Sequence, residues 1–236
     1  MSRIHHPEQV LNPVRQHVNP LSSFFQVERD LPAPRDLFVN PELPLHLDIG
    51  CARGFFLLAM AEAHPERNHL GLEIRHPLVR AAEAQQQREE RSNVRFIFGN
   101  ANVSLQRWLE SLNRLRLELV TIQYPDPWFK KRHHKRRMVQ PELLRWVAAA
   151  MPADGKLFLQ SDVPEVIAQM LEAVEEAGCF TELDGGSWLA DNPLAVRTER
   201  ERYVLDQGLP VYRRLFGCAV PGESLHNPLA QQQNAG

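Results

Sequence analysis

Along the middle of the chain, short apolar runs alternate with stretches whose apolar residues recur at helical spacing. Residues 45–49 (LHLDI) predict a strand, followed by a glycine-containing loop. Phe55, Leu58, Ala59 and Glu62 then fall at helical spacing. A second strand is expected over 69–74, and a helix over 77–91, where Ala, Gln, Glu and Arg dominate. Residues 94–98 predict a third strand, and Leu105, Trp108, Leu109 and Leu112 mark an apolar helix face. A fourth strand covers 117–124. Pro141 suits the first turn of a helix that Leu143, Leu144 and Val147 continue. Gly155 turns into a fifth strand over 156–160, and Val166, Ile167, Met170, Leu171 and Val174 give another amphipathic helix. Two late strands are expected over 180–183 and 211–216. This alternation predicts an α/β fold, a doubly wound, mostly parallel seven-stranded sheet covered on both faces. Ligands of such sheets bind beyond the carboxyl ends of the strands.

The flanks read differently. Pro7, Pro13, Pro20, Pro32 and Pro34 exclude long helices from residues 1–40, which predicts an extended arm docked in part through Phe24 and Phe25. Residues 218–236 are polar and end in QQQNAG, so a disordered tail is expected there, leaving 41–217 as one folded domain. The longest apolar run, 55–61, is too short to span a bilayer, and the first ten residues lack the apolar core of a signal peptide. Cys51, Cys179 and Cys218 are far apart and form no Cys-x-x-Cys pair, which points to a reduced, cytoplasmic setting without a disulfide framework or thiolate zinc site. No metal site is expected. His133 and His134 are adjacent and surrounded by cations, and His5 and His6 belong to the arm.

Charge changes this picture at one place. The chain carries 27 Lys and Arg against 29 Asp and Glu, a net of -2. Six of those cations lie within Lys130–Arg137; without them the balance is 21 against 29, or -8. One segment thus carries a positive field on an acidic body, the footprint expected for a polyanion such as RNA or DNA. A solvated charge run is the plainer reading. Rigid and aromatic residues lead into this one, however: Pro125, Asp126, Pro127 and Trp128. Each proline fixes its own φ and is expected to hold the residue before it extended, so Asp126 is aimed in one direction at the mouth of the sheet. Trp128 can stack on a base or pack against the sheet.

The first strand ends in Asp48, followed by Gly50, Cys51, Ala52, Arg53 and Gly54. This loop does not match the dinucleotide fingerprint G-x-G-x-x-G, and an acid before the first glycine repels a pyrophosphate. It suits a cationic amino-acid cofactor instead. Glu73 closes the second strand, where a carboxylate can take both ribose hydroxyls. Asn100 follows the third and could read the edge of an adenine. S-adenosylmethionine offers an ammonium, a sulfonium, a ribose and an adenine, with no phosphate, and fits this series of groups. An ordinary strand-to-helix turn with Glu73 merely exposed is the structural alternative.

The stretch PDPWFKKRHHKRRMVQPE closely resembles the signature of the tRNA (guanine-N7)-methyltransferase family. LDIGCARG resembles that family's cofactor loop, GLEI its second-strand acid, TERE (Thr198–Glu201) its Thr-x-x-Glu substrate motif, and VRQHVNPLS an N-terminal segment of related members. The resemblance spans residues 14–216. It implies a class I methyltransferase (Rossmann-like) fold, S-adenosylmethionine as donor, and a guanosine of the tRNA variable loop as acceptor. Asp48, Gly50, Glu73, Asn100 and Asp126 would line the cofactor site, with Asp126 also catalytic. Lys130, Asp162, Thr198, Glu199, Arg200 and Glu201 would contact the substrate. Arg132, His133, His134, Lys135, Arg136 and Arg137 would lie on RNA. Three positions depart from the family pattern: Ala52 stands where glycine is frequent, Asn100 where many members have an acid, and Phe129 where proline is common. Asp162 with Glu165, and Thr198 with Glu201, also read as helix-capping pairs. A monomer and a homodimer are equally compatible with the sequence. Two other readings remain at this level: a methyltransferase acting on another nucleobase, and a module that grips RNA without catalysis.

Overall fold

The computed structural model describes residues 18–112, 117–183 and 185–219. A short helical turn, α1 (Pro34–Leu37), leads into strand β1 (Leu45–Ile49). There follow α2 (Phe55–Ala63), β2 (Asn68–Glu73), α3 (His76–Arg88), β3 (Val94–Phe98), α4 (Ala101–Glu110) and β4 (Leu117–Gln123). A 3-10 helix (Lys131–Arg136) precedes α5 (Pro141–Ala150), β5 (Lys156–Ser161), α6 (Pro164–Ala177), β6 (Phe180–Glu182), α7 (Glu199–Asp206) and β7 (Tyr212–Cys218). Prolines open α1, α3, α5 and α6, where the first turn has no use for their missing N–H.

The seven strands lie in the order β3-β2-β1-β4-β5-β7-β6. The first five in that order are parallel, and β7 runs antiparallel between β5 and β6. The order reverses between β1 and β4, which opens a crevice above their carboxyl ends. One sheet face packs Leu47, Leu72, Val120 and Leu159 against α4, α5 and α6. The other packs Val94 and Phe96 against α2 and α3.

On that second face, alternate strand positions are polar: His46 and Asp48 on β1, Thr121 on β4, Gln160 on β5 and Arg213 on β7 are buried, and Gln123 at the end of β4 is half-buried. Gln160 stands opposite Gln123 on one side and Arg213 on the other. Buried polar groups persist where they satisfy one another, and most of these do, Gln160 Oε1 being the exception without a partner among the described residues. His46 Nε2 lies 3.0 Å from Thr121 Oγ1, which donates to Asp48 Oδ1 at 2.5 Å. Gln123 donates to the same Asp48 oxygen at 3.4 Å and accepts from Gln160 at 2.6 Å. Gln160 also reaches Glu201 on α7 at 3.3 Å. Because the Thr121 hydroxyl gives its proton to Asp48, His46 must donate from Nε2. Burial pushes its pKa well below the usual value, so it is neutral. His69 stands between two acceptors, with Nδ1 3.1 Å from His46 Nδ1 and Nε2 3.4 Å from His64 O.

Two readings of local geometry need correction. The buried face of α2 is formed by Phe56, Leu57, Leu58, Met60 and Ala61; Leu58 lies on it as expected, Ala59 is half-buried, and Phe55 and Glu62 are exposed. Tyr124, directly before Pro125, is not extended: its φ is +51°. The proline disfavours the right-handed helical region, and the left-handed turn lets the Tyr124 N–H bond Gln160 O at 2.9 Å while the chain swings out of β4.

The described part of the arm is docked through more than its phenylalanines. The Trp108 indole donates to Pro32 O at 2.8 Å, Arg29 N donates to Ser104 Oγ at 3.1 Å, and Leu37 and Phe38 enter the core. Phe24 touches Phe98, with Arg29 over both rings. Residues 1–17, including His5, His6 and the start of VRQHVNPLS, lie outside the described residues, as does the expected tail beyond Ala219; Cys218 closes β7.

Candidate active site

The loop after β1 turns tightly because three of its residues take left-handed backbone angles: Gly50 (φ +88°), Ala52 (φ +50°) and Gly54 (φ +76°). At Gly54 a Cβ would come within 2.5 Å of the Phe96 ring, so glycine is required for space as well as angle. Ala52 tolerates its angle because its N–H is held by Glu73 Oε2 at 3.0 Å. Glu73, buried at the end of β2, also accepts from Arg75 N and Nε, each at 2.9 Å on Oε1, and from Nη2 at 3.3 Å. Burial works against the Arg75 charge, but the bonds and charge of Glu73, and the charge of Asp126, raise its pKa overall. Asp48 lies below the loop. Burial pushes its carboxyl up to about 6, against the hydrogen bonds of Thr121 and Gln123.

Two clefts adjoin at this crevice. One is lined by Gly50, Glu73, Gly99, Asn100, Trp128 and Arg136, among others. The second runs from Asp48 and the 51–56 loop to Asp162 and Thr198–Arg200. Asp126 lines both, as do Gly50, Arg75, Gln123 and Tyr124. The crevice is therefore one site with two arms, and Asp126 stands at their junction.

A family described as "Putative methyltransferase" matches residues 42–214. A tRNA (guanine-N(7)-)-methyltransferase of Synechococcus sp. (strain CC9311) is 58% identical over 205 residues, 86% of this chain and 86% of the relative. One from Prochlorococcus marinus (strain MIT 9313) is 57% identical over 205 residues, covering 86% and 87%. This chain belongs to the tRNA (guanine-N7)-methyltransferase family. Its mostly parallel seven-stranded sheet is the class I methyltransferase fold. Among solved structures, an antibiotic-related methyltransferase superposes with a TM-score of 0.49 at 14% identity, over 82% of this chain and 98% of that one.

The residues carried over from the family motifs do not all stand in the clefts. Asp48, Gly50, Glu73, Asn100 and Asp126 line one or both. Asn100 also caps α4, its Oδ1 accepting from Asn102 N at 3.2 Å, while its Nδ2 donates to Phe25 O at 3.2 Å and Pro20 O at 3.3 Å. Asp162 lines the second cleft and pairs with Arg200 at 2.5 Å. It does not cap α6, whose N-cap is Val163, with the Val163 N–H bound to Ser161 Oγ. Thr198 does cap α7, accepting from Glu201 N at 3.0 Å. That cap aims Thr198, Glu199 and Arg200 into the cleft.

Glu201 points the other way. It is fully buried, and Arg213 grips its Oε1 from Nη2 at 2.8 Å and Nε at 3.2 Å. Asn192 donates to Oε2 at 2.7 Å. The family's Thr-x-x-Glu motif thus places three residues in the cleft and ties the fourth to the sheet. Arg213 was missed in the sequence, although an arginine inside a strand pattern is a signal for a buried partner.

Lys130 is exposed and stands outside both cleft linings. Beyond it the basic run forms a 3-10 helix, with Arg132, His134 and Lys135 exposed and His133, Arg136 and Arg137 half-buried. Trp128 organises its inner side. Arg136 sits 5.0 Å over the ring, His133 meets it edge-on at 5.6 Å, and Arg137 Nε donates to its carbonyl at 3.4 Å. Gln140 and Asn102 hold the backbone of the run through carbonyls of His134, Arg137 and Met138. Among the described residues, no three His, Cys, Asp or Glu form a group that could hold a metal, and no helix is long and apolar enough to cross a membrane.

Proposed function

We propose that this chain transfers the methyl group of S-adenosylmethionine to nitrogen 7 of a guanosine in the tRNA variable loop. One observation carries the reading: Asp126, set between two prolines, lines both arms of the crevice. The arm with Gly50, Glu73, Gly99 and Asn100 suits an adenosine; the arm with Asp162 and Thr198–Arg200 suits the target base. S-adenosylmethionine, when bound, supplies a methyl group activated on a sulfonium.

The residues present fit that group. Asp48, ionised above about pH 6, offers a carboxylate for an ammonium. Glu73 can take a ribose diol when Arg75 yields part of its hold, because the four hydrogen bonds it now accepts fill a carboxylate's capacity. Asn100 can pair with an adenine edge when the Pro20 and Phe25 carbonyls release its amide.

Guanine N7 carries an in-plane lone pair, so no proton need be removed before it attacks. The protein's task is orientation of two reactants. As N7 is alkylated the ring gains positive charge. The Asp126 carboxylate can accept from the guanine N–H edge and stabilise that charge. The exposed cations of the 3-10 helix hold backbone phosphates and bring the RNA to the crevice.

Labelled methyl transfer to unmodified tRNA, with and without the variable-loop guanosine, tests this. Transfer is expected only when that guanosine is present, with 7-methylguanosine as the product nucleoside. Asp126→Ala should abolish turnover in a folded protein. Near wild-type turnover in that variant, or methylation at another atom, would refute the assignment.

A further inference from the structure

Three cations line the second arm of the crevice: Arg53, Arg75 and Arg200. Two are neutralised in place, Arg75 by Glu73 and Arg200 by Asp162. Arg53 has no hydrogen bond or ion pair among the described residues. Four carboxylates line the same arm, Asp48, Asp126, Asp162 and Glu199. A polyanion entering it would be repelled unless a free cation receives it.

Arg53 is also well presented. It sits between the left-handed Ala52 and Gly54, in a loop whose N–H groups are tied down. Gly50 N bonds Leu72 O at 2.7 Å, Ala52 N bonds Glu73 Oε2 at 3.0 Å, and Gly54 N bonds Cys51 O at 2.9 Å. A fixed backbone carrying a half-buried arginine, unpaired among the described residues, is a prepared anion contact, because arginine matches phosphate oxygens with two parallel N–H groups.

We propose that Arg53 binds the phosphate adjoining the target guanosine. The inference rests on the tRNA reading of the crevice. The basic 3-10 helix approaches Asp126 through the first arm, where Trp128 and Arg136 stand. Arg53 gives the strand a second hold in the other arm. Two phosphate contacts on either side of Asp126 keep the nucleotide between them against the carboxylate. A cofactor carboxylate is the other anion within the same chemistry, and the experiment separates the two.

Filter binding of tRNA across a salt series, and calorimetric titration with S-adenosylhomocysteine, are compared for wild type, Arg53→Ala and Arg53→Lys. Arg53→Ala should weaken tRNA binding by about tenfold and flatten the slope of log affinity against log salt by about 1. Its S-adenosylhomocysteine affinity should stay at the wild-type value, and Arg53→Lys should keep the slope. Unchanged tRNA affinity and slope in Arg53→Ala would overturn the proposal. Loss of S-adenosylhomocysteine binding with intact tRNA binding would also overturn it, assigning Arg53 to the cofactor carboxylate; loss of both affinities would count against it equally. A wild-type protein that binds tRNA without methylating it would refute the activity and leave this phosphate comparison intact.

Discussion

The basic 3-10 helix and the Glu201–Arg213 pair handle charge in opposite ways. In the helix, Arg132, His134 and Lys135 stand in solvent on a backbone fixed by Trp128, Gln140 and Asn102. At the pair, a carboxylate and a guanidinium are both buried, joined by two hydrogen bonds, and extended by Gln160 and Asn192. Exposed cations cost little to keep and act at a distance, screened by salt. Buried charges act on what they touch, and removing one leaves the other without compensation. The same residue types thus form an exposed field in one place and set the geometry of a wall in the other.

The sharpest way to break the contrast is Arg213→Ala. It leaves the buried Glu201 carboxylate with the half-exposed Arg197, whose Nε stands 3.9 Å from Oε1, as its cation among the described residues, so a loss of about 3–5 kcal/mol in folding stability is expected by chemical denaturation. A loss under about 1 kcal/mol would mean that Arg197 or water takes over the carboxylate.

Asp48 sharpens it next, as a single buried carboxylate without a cation. Its folded pKa of about 6 lies above its ordinary 3.8. The stability this group lends the free protein is therefore full below 3.8 and lost as pH rises through about 6. On the proposed placement of the cofactor's ammonium against Asp48, cofactor affinity should run the other way, falling about tenfold per pH unit below 6 as the carboxylate is neutralised. Calorimetry of S-adenosylhomocysteine binding between pH 5 and pH 8 reads this, and a flat profile would remove Asp48 from the cofactor's ammonium.

The smallest effect belongs to the exposed helix. Arg132→Ala with Lys135→Ala should leave stability within about 0.5 kcal/mol and flatten the tRNA salt slope by about 2. An unchanged slope would mean that these cations face away from the RNA.

Much of this was legible in the chain. Each strand run announced itself through a short apolar run bounded by turns. The face of α2 did not, because Phe55–Ala61 is apolar all round and its spacing selects no side. The carboxylates at successive strand ends were legible because strand ends and ligand sites coincide in this topology. The hydrogen-bond partners were not. That Asn100 holds the arm, and that Tyr124 turns left-handed before a proline, depends on segments that meet only in three dimensions. The polar row beneath the crevice left a trace in alternate residues, His46 and Asp48, then Thr121 and Gln123. Its continuation to Gln160 and Arg213 follows from β7 inserting between β5 and β6, which no local pattern encodes.

That insertion also sets an order of assembly. The ribosome delivers β1 to β5, with the 50–54 loop, Asp48, Glu73 and Asp126, well before β7. Glu201 emerges next, but the guanidinium that permits its burial lies 12 residues further on. Until Tyr212–Cys218 pairs antiparallel with β5, α7 can reach Gln160 and Asn192 but lacks its buried ion pair, and the wall bearing Thr198–Arg200 is incompletely held. A chain interrupted before that strand would hold the Thr198–Arg200 wall without its ion pair, so the last strand serves as a completeness check on that side of the crevice.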